Sequence, residues 1–139
     1  MSELAGKRIV ITGSSRGLGR ATAEAFARHG ARLVLNGTQA EALAEAEERV
    51  RAEGGEVVSV QGSVAESATC EALIKTCVQH YGGIDILIHN AGQVRDRTLF
   101  KMSDEDFDTV IATHLRGAWA CGKYAALACG TLAVDRSFR

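Results

Sequence analysis

Short apolar runs alternate along this chain with longer stretches whose apolar residues recur every three or four positions. Lys7–Thr12 (KRIVIT), Leu33–Asn36, Glu56–Gln61 and Ile84–His89 (IDILIH) are runs of the first kind. They suit parallel strands covered on both faces. In the stretches between them, Leu18, Ala21, Ala25 and His29 share one helical face. So do Leu43, Ala46 and Val50, and so do Leu73, Ile74, Cys77 and Val78. Gly30, Gly54–Gly55 and Gly82–Gly83 follow these stretches, where a left-handed C-terminal cap favours glycine.

The pattern predicts β-α-β-α-β-α-β, with a period of roughly 25–30 residues that suits βαβ units. Right-handed crossovers then give an α/β fold with a doubly wound parallel sheet of Rossmann type. A further helix is expected from Ser103, with Glu105 and Asp106 in its first turn. It carries Phe107, Val110, Ile111 and Leu115 and is predicted to run to about Ala128. The last stretch, CGTLAVDRSFR, does not continue the pattern.

Composition narrows the class. The 139 residues suffice for one domain with a modest core. Hydrophobic residues make up 46% and charged residues 24%, as in ordinary globular chains. A net charge of -1 gives no basic excess for a nucleic-acid partner. No apolar run reaches the roughly 18 residues of a membrane span. MSELAGKRIV lacks a signal-peptide core, so the expected compartment is the cytoplasm. Cys70, Cys77, Cys121 and Cys129 form no CxxC pair and have no histidine at zinc-ligand spacing, so small buried thiols are expected. Asp104, Glu105, Asp106 and Asp108 read as a helix N-terminal charge run, and no metal site is expected. Proline is absent, where average usage of about 5% would give roughly seven.

Candidate chemistry begins at Thr12-Gly13-Ser14-Ser15-Arg16-Gly17-Leu18-Gly19, between the first strand and first helix. A sharp strand-to-helix turn requires the unusual backbone angles that Gly13 tolerates. A pyrophosphate approaching a helix N-terminus meets free N–H groups and the positive end of the helix dipole. A Cβ at Gly17 would obstruct that approach, and Gly19 lets the helix pack closely on the strand. A glycine triplet alone is weak; at the head of a βαβαβ series it is a strong signal for a nucleotide.

The spacing TGxxxGxG, together with His89-Asn90-Ala91-Gly92 after the fourth strand, resembles the short-chain dehydrogenase/reductase family, whose second motif reads NNAG. The resemblance covers residues from about 5 to 128. It implies an NAD(P)-binding Rossmann half over 1–128 and a non-family tail over 129–139. The family order 3-2-1-4-5-6-7 implies 3-2-1-4 for the four strands here. The implied cofactor-binding residues are Gly13, Ser14, Ser15, Arg16, Gly17, Leu18 and Gly19, with Asn90, Ala91 and Gly92 backing the cofactor. Arg95-Asp96-Arg97-Thr98, Met102–Phe107 and His114-Leu115-Arg116-Gly117 resemble a narrower subset. These are the 3-oxoacyl-carrier reductases and the hydroxyacyl-CoA dehydrogenase module of peroxisomal multifunctional enzymes. The implied substrates are 3-oxoacyl or 3-hydroxyacyl thioesters.

In this fold an acid at the end of the second strand holds the adenosine ribose and marks NAD. Here the strand ends Leu35-Asn36-Gly37-Thr38, without a carboxylate. Arg16 and Thr38 offer a guanidinium and a hydroxyl to a 2′-phosphate. That combination is similar to NADP-preferring members, so NADP is expected ahead of NAD, with Gly37 and Thr38 at the ribose. Ser63 stands where the family commonly has Asp against the adenine, and the Val64 backbone is expected to line that pocket.

Family catalysis uses Ser, then Tyr-x-x-x-Lys. Position 85, four after Tyr81, is Asp, and position 128, four after Tyr124, is Ala, so neither tyrosine fits. Lys123 precedes Tyr124, and adjacent helical side chains diverge by about 100°. His114 stands at the family's helical Asn position and is the one catalytic candidate; a half-buried helix histidine is its simpler reading. The expectation is a half-fold cut before its chemistry, with weak or no nucleotide binding and no turnover. The alternatives are a non-catalytic module pairing with an intact homologue, and a nonfunctional fragment.

Overall fold

The structure, a computed structural model, describes residues 2–129; the expected tail lies outside them except for Cys129. Four strands form one parallel sheet in the order β3-β2-β1-β4: β1 Arg8–Ile11, β2 Arg32–Gly37, β3 Glu56–Gln61 and β4 Ile86–Ile88. Ile9 lies opposite Leu33 on one side and Ile86 on the other. The helices are α1 Gly17–Arg28, α2 Ala40–Ala52, α3 Ser67–Tyr81, α4 Asp104–Ile111 and α5 Gly117–Cys129. This is the expected α/β architecture and strand order.

Consecutive apolar positions make sense because successive strand side chains enter opposite faces. Ile9, Ile11, Leu33 and Leu35 join Ala23 and Ala27 of α1 and Leu43, Ala46 and Val50 of α2 on one side. Val10 and Val34 join Cys70, Leu73, Ile74 and Cys77 of α3 and Ala120 and Cys121 of α5 on the other. β1 and β2 are buried on both faces; β3 and β4, at the edges, are only partly so. Arg8 and Asp85 clamp the start of β1 to the approach to β4 through a two-pronged ion pair, with contacts of 2.9 and 2.8 Å.

Two expectations need correction. The buried face of α1 is Gly19, Ala23 and Ala27, whereas Leu18 is 81% exposed. The sequence offers two candidate stripes, one marked by Leu18 and the other made only of glycine and alanine; the second is inside because small residues let the helix lie close to the sheet. Nor is the helix from Ser103 continuous. Ser103 caps α4 as expected, its Oγ accepting the Asp106 N–H at 3.1 Å. The helix then widens into a π-helical segment, Ala112–Arg116, before α5. Gly82, Gly54 and Gly30 take the expected positive φ after their helices. Cys70, Cys77 and Cys121 are buried free thiols, while Cys129 is exposed.

Candidate nucleotide-binding site

At the carboxyl ends of β1, β2 and β3 the chain forms a cleft of about 430 Å³. A parallel sheet brings its strand-to-helix turns to this one end, which is where doubly wound folds bind ligands. Of the residues the sequence singled out, Gly13, Ser15, Arg16, Gly37, Thr38, Ser63, Val64, Asn90, Ala91 and Gly92 line the cleft. They come from three different βα turns and the segment after β4.

The glycine loop is held on both flanks. Asn36 Oδ1 accepts the Gly13 N–H at 3.1 Å, and Asn36 Nδ2 donates to the carbonyls of Val60 and Gly62 at 3.1 and 3.0 Å. Asn90 Nδ2 donates to the Gly13 carbonyl at 2.9 Å. Gly13 has φ +60°, and a Cβ there would stand 2.6 Å from Ala91 Cα. A Cβ at Gly19 would overlap the Gly13 carbonyl and lie 2.6 Å from Asn90 Nδ2. Gly19 therefore admits the loop itself and the Asn90 side chain. A Cβ at Gly17 would meet nothing within 4 Å, consistent with open approach to the first turn of α1. No side chain caps that turn and it contains no acid, so its N–H groups are left for an anion.

Ser14 does not line the cleft. Its buried hydroxyl donates to the Ile11 carbonyl at 2.7 Å and accepts the Asn36 N–H at 2.9 Å, bracing the loop from beneath. Gly17 and Leu18 lie on the exposed first turn of α1, and Gly19 is buried behind it. Arg16 is exposed and has no carboxylate within ion-pair distance among the described residues. The Thr38 carbonyl accepts from Gln61 Nε2 at 3.0 Å. Ser63 Oγ accepts the Ala65 N–H at 3.2 Å.

Behind the cleft, Thr12, His89 and Thr113 form a relay of fixed direction. Thr12 Oγ1 accepts the N–H groups of Asn90 and Ala91, each at 3.0 Å. Its own proton is then available to His89 Nδ1 at 3.3 Å, and His89 Nε2 lies 3.1 Å from the Thr113 carbonyl. The arrangement calls for a neutral His89 protonated at Nε2. Burial lowers the His89 pKa, opposed by the bond to Thr113 and aided by nearby His114. The π-helical register makes the last bond possible. The Gly117 N–H reaches back to the Ala112 carbonyl, past the Thr113 carbonyl an α-helix would use.

His114 is exposed at the rim and does not line the cleft. Its ring packs on Gly92, and Nε2 sits 3.0 Å from Gln93 N and 2.9 Å from Gln93 O. One tautomer accepts the Gln93 N–H; the other donates to the carbonyl. The tyrosines lie elsewhere. The Tyr81 hydroxyl donates to the Leu33 carbonyl at 3.2 Å, and burial pushes its pKa up to about 12. Lys123 stacks over Trp119 and Tyr124. The sequence reading missed Asn36, Gly62, Gln93 and Thr113 as cleft residues. Asn36 carried a signal, being an amide at the end of an apolar strand; Thr113 carried none.

A family model described as short chain dehydrogenase matches residues 7–128. The chain belongs to this family. It is 41% identical over 130 residues to the hydroxyacyl-CoA dehydrogenase ChsB1 of Mycobacterium tuberculosis, a match covering 90% of this chain and 41% of that protein. It is 40% identical over 124 residues to a 3-oxoacyl-[acyl-carrier-protein] reductase of Synechocystis, covering 88% of this chain and 50% of that one. A short chain dehydrogenase from Mycobacterium avium superposes with a TM-score of 0.88 at 38% identity, covering 93% of this chain and 48% of the other. Two further structures differ in ligand. A Burkholderia cenocepacia dehydrogenase in complex with NADP has a TM-score of 0.86 at 28% identity, covering 91% of this chain and 52% of that one. An NADH-dependent reductase complexed with NAD has a TM-score of 0.82 at 35% identity, covering 91% and 53%. The chain thus spans about half the length of the relatives it matches.

Proposed function

We propose that this chain is the nucleotide-binding half of an NADP-dependent oxidoreductase acting on a 3-oxoacyl or 3-hydroxyacyl thioester, or a similar carbonyl or alcohol. The cradle fits such a cofactor: glycines where a Cβ would intrude, an uncapped helix start and an unneutralised Arg16. When bound, the cofactor supplies or accepts the hydride. This chain's residues do the holding. The first turn of α1 offers N–H groups to the pyrophosphate, Arg16 and Thr38 offer donors to a 2′-phosphate, and the Asn90–Gly92 backbone closes the far side.

One observation carries the preference for NADP. A Cβ at Gly37, the last residue of β2, would lie 2.7 Å from Ser15 Cβ and Oγ. An acidic side chain there would displace Ser15, so no carboxylate opposes a 2′-phosphate at this corner. Of the two nucleotide-bound neighbours named above, one holds NADP and the other NAD, and NAD is the weaker alternative for this chain.

Proton donation to a developing alkoxide needs the family's Ser and Tyr-x-x-x-Lys, which this sequence does not contain. The 139 residues by themselves then bind nucleotide weakly and turn nothing over. His114, pinned to the Gly92–Gln93 backbone, serves in a longer parent as the helical member of the catalytic set. The division at 128 and a cytoplasmic location belong to the same reading. Calorimetry with NADP(H) and NAD(H), beside an assay on 3-oxoacyl thioesters, tests it. Tighter binding of NADP without turnover is expected; tighter binding of NAD, or measurable reduction, would sink it. A second reading, a non-catalytic module pairing with an intact homologue, is favoured by the exposed Leu99, Phe100, Leu115 and Trp119. Co-purification with a full-length reductase would support it.

A further inference from the structure

We propose that Cys70 and Cys121 form a modification site, a pair of thiols that a hydroperoxide closes into a disulfide joining α3 to α5. The proposal is independent of the nucleotide reading. Both residues are 0% exposed and belong to one core cluster, along with Ala120. Their side chains lie within hydrogen-bonding reach of each other. Cys70 Sγ donates to the Val64 carbonyl at 3.2 Å, which leaves its sulfur to accept from the Cys121 thiol.

The backbone explains why these two sulfurs meet. A Cβ at Gly117 would lie 3.2 Å from the Val64 carbonyl, so α5 runs close to the turn after β3. Cys121 stands one helical turn beyond Gly117 on the same face of α5, and Cys70 reaches the same carbonyl from α3. Buried thiols often serve only as small apolar packing, and Cys77 fits that description, its Sγ donating to the Gly83 carbonyl at 3.2 Å. Cys77 lies seven residues beyond Cys70 on one helix, a rise of about 10 Å. A disulfide allows at most roughly 7 Å between Cα atoms. The folded chain therefore offers Cys70 its partner on α5 and denies it the one on its own helix.

Hydrogen peroxide converts one thiol to a sulfenic acid with loss of water. The second sulfur attacks the first; the S–O bond breaks, the S–S bond forms, and the hydroxyl leaves as water with the second thiol's proton. In sum, two thiols and one peroxide give one disulfide and two waters, the sulfurs oxidised and the peroxide oxygens reduced. Burial and the neighbouring sulfur push the Cys121 thiol up to about 12, so thiolate is scarce and the bridge forms slowly. Closing it consumes both S–H groups, and the carbonyl of Val64, a residue that lines the cleft, loses its donor. Oxidation of the α3–α5 seam is thus felt at the turn after β3.

Cys129→Ser removes the exposed thiol, and with it disulfides between copies, leaving three of the four cysteines. This chain is treated with millimolar hydrogen peroxide in native buffer, alkylated, and digested without reduction. Mass spectrometry should find a peptide pair joining Cys70 to Cys121, two hydrogens lighter than the separate thiols, with Cys77 alkylated. Free thiols should fall from three to one and return with dithiothreitol, and the Val64 and Ala65 amide resonances should shift as the bridge forms. In concentrated urea the same treatment should instead favour Cys70–Cys77, because the shortest loop closes most readily. A folded chain that keeps all three thiols, carries separate sulfinic acids at Cys70 and Cys121, or links Cys70 to Cys77 overturns the proposal.

Discussion

Gly19 shows how close packing overrides local preference. Alanine at an exposed helical site gains about 1 kcal/mol over glycine. At Gly19 the added methyl would overlap the Gly13 carbonyl and crowd Asn90 Nδ2. Overpacking of that kind costs about 1–3 kcal/mol, so the clash wins. Gly19→Ala is expected to lower the denaturation midpoint, and a midpoint at or above that of the unaltered chain would contradict the packing described. Asn36 serves the same loop from the other flank, satisfying one N–H and two carbonyls from a single amide. The glycines were legible because their spacing marks them. Asn36 was read only as a missing carboxylate, since its partners on β3 and the glycine loop are remote in sequence.

At the scale of elements, the four strands and the first three helices followed from periodicity, because a two-sided sheet demands consecutive apolar residues, whereas the strand order followed from the family resemblance. The α1 core face did not, since alanine and glycine hide a buried stripe that depends on how close the sheet lies. The π-helical segment was also invisible. It depends on His89 competing for a helical carbonyl, a contact 24 residues apart. That contact makes the turn after β4 sensitive to pH. The folded-state pKa of His89 lies below its ordinary 6.5, so folding favours the neutral ring. Its stabilisation is present above that value and is lost as pH falls below it. A charged ring would also present a second N–H toward Thr12 Oγ1, which already accepts two. Stability measured by urea denaturation should decline between about pH 7 and pH 5. His89→Asn supplies a donor and an acceptor that do not titrate, and should flatten this part of the profile. An equally steep decline in H89N would assign the effect to other groups.

Over the whole molecule the two edges of the sheet differ in exposure to association. β4 is three residues long and partly buried, and in the segment between β4 and α4 Leu99 and Phe100 are 92% and 85% exposed. Exposed apolar surface and edge strands each promote self-association. Light scattering should rise with protein concentration and fall in a Leu99→Lys, Phe100→Lys double variant; scattering unchanged by that variant would place the contact elsewhere. The same edge bears on the cleft. Ala91 limits the space above Gly13, Asn90 holds the Gly13 carbonyl, and Thr12 gathers the turn that follows β4. Part of the glycine loop's support is therefore borrowed from the segment that follows the short outer strand, and elements with few buried contacts are where native chains open first. Each transient opening of β4 unmakes the pocket, so the rate at which amide protons exchange in the glycine loop is set at the rim of the sheet. A nucleotide that accepts only the closed form would slow exchange along β4, a strand that lines none of the cleft.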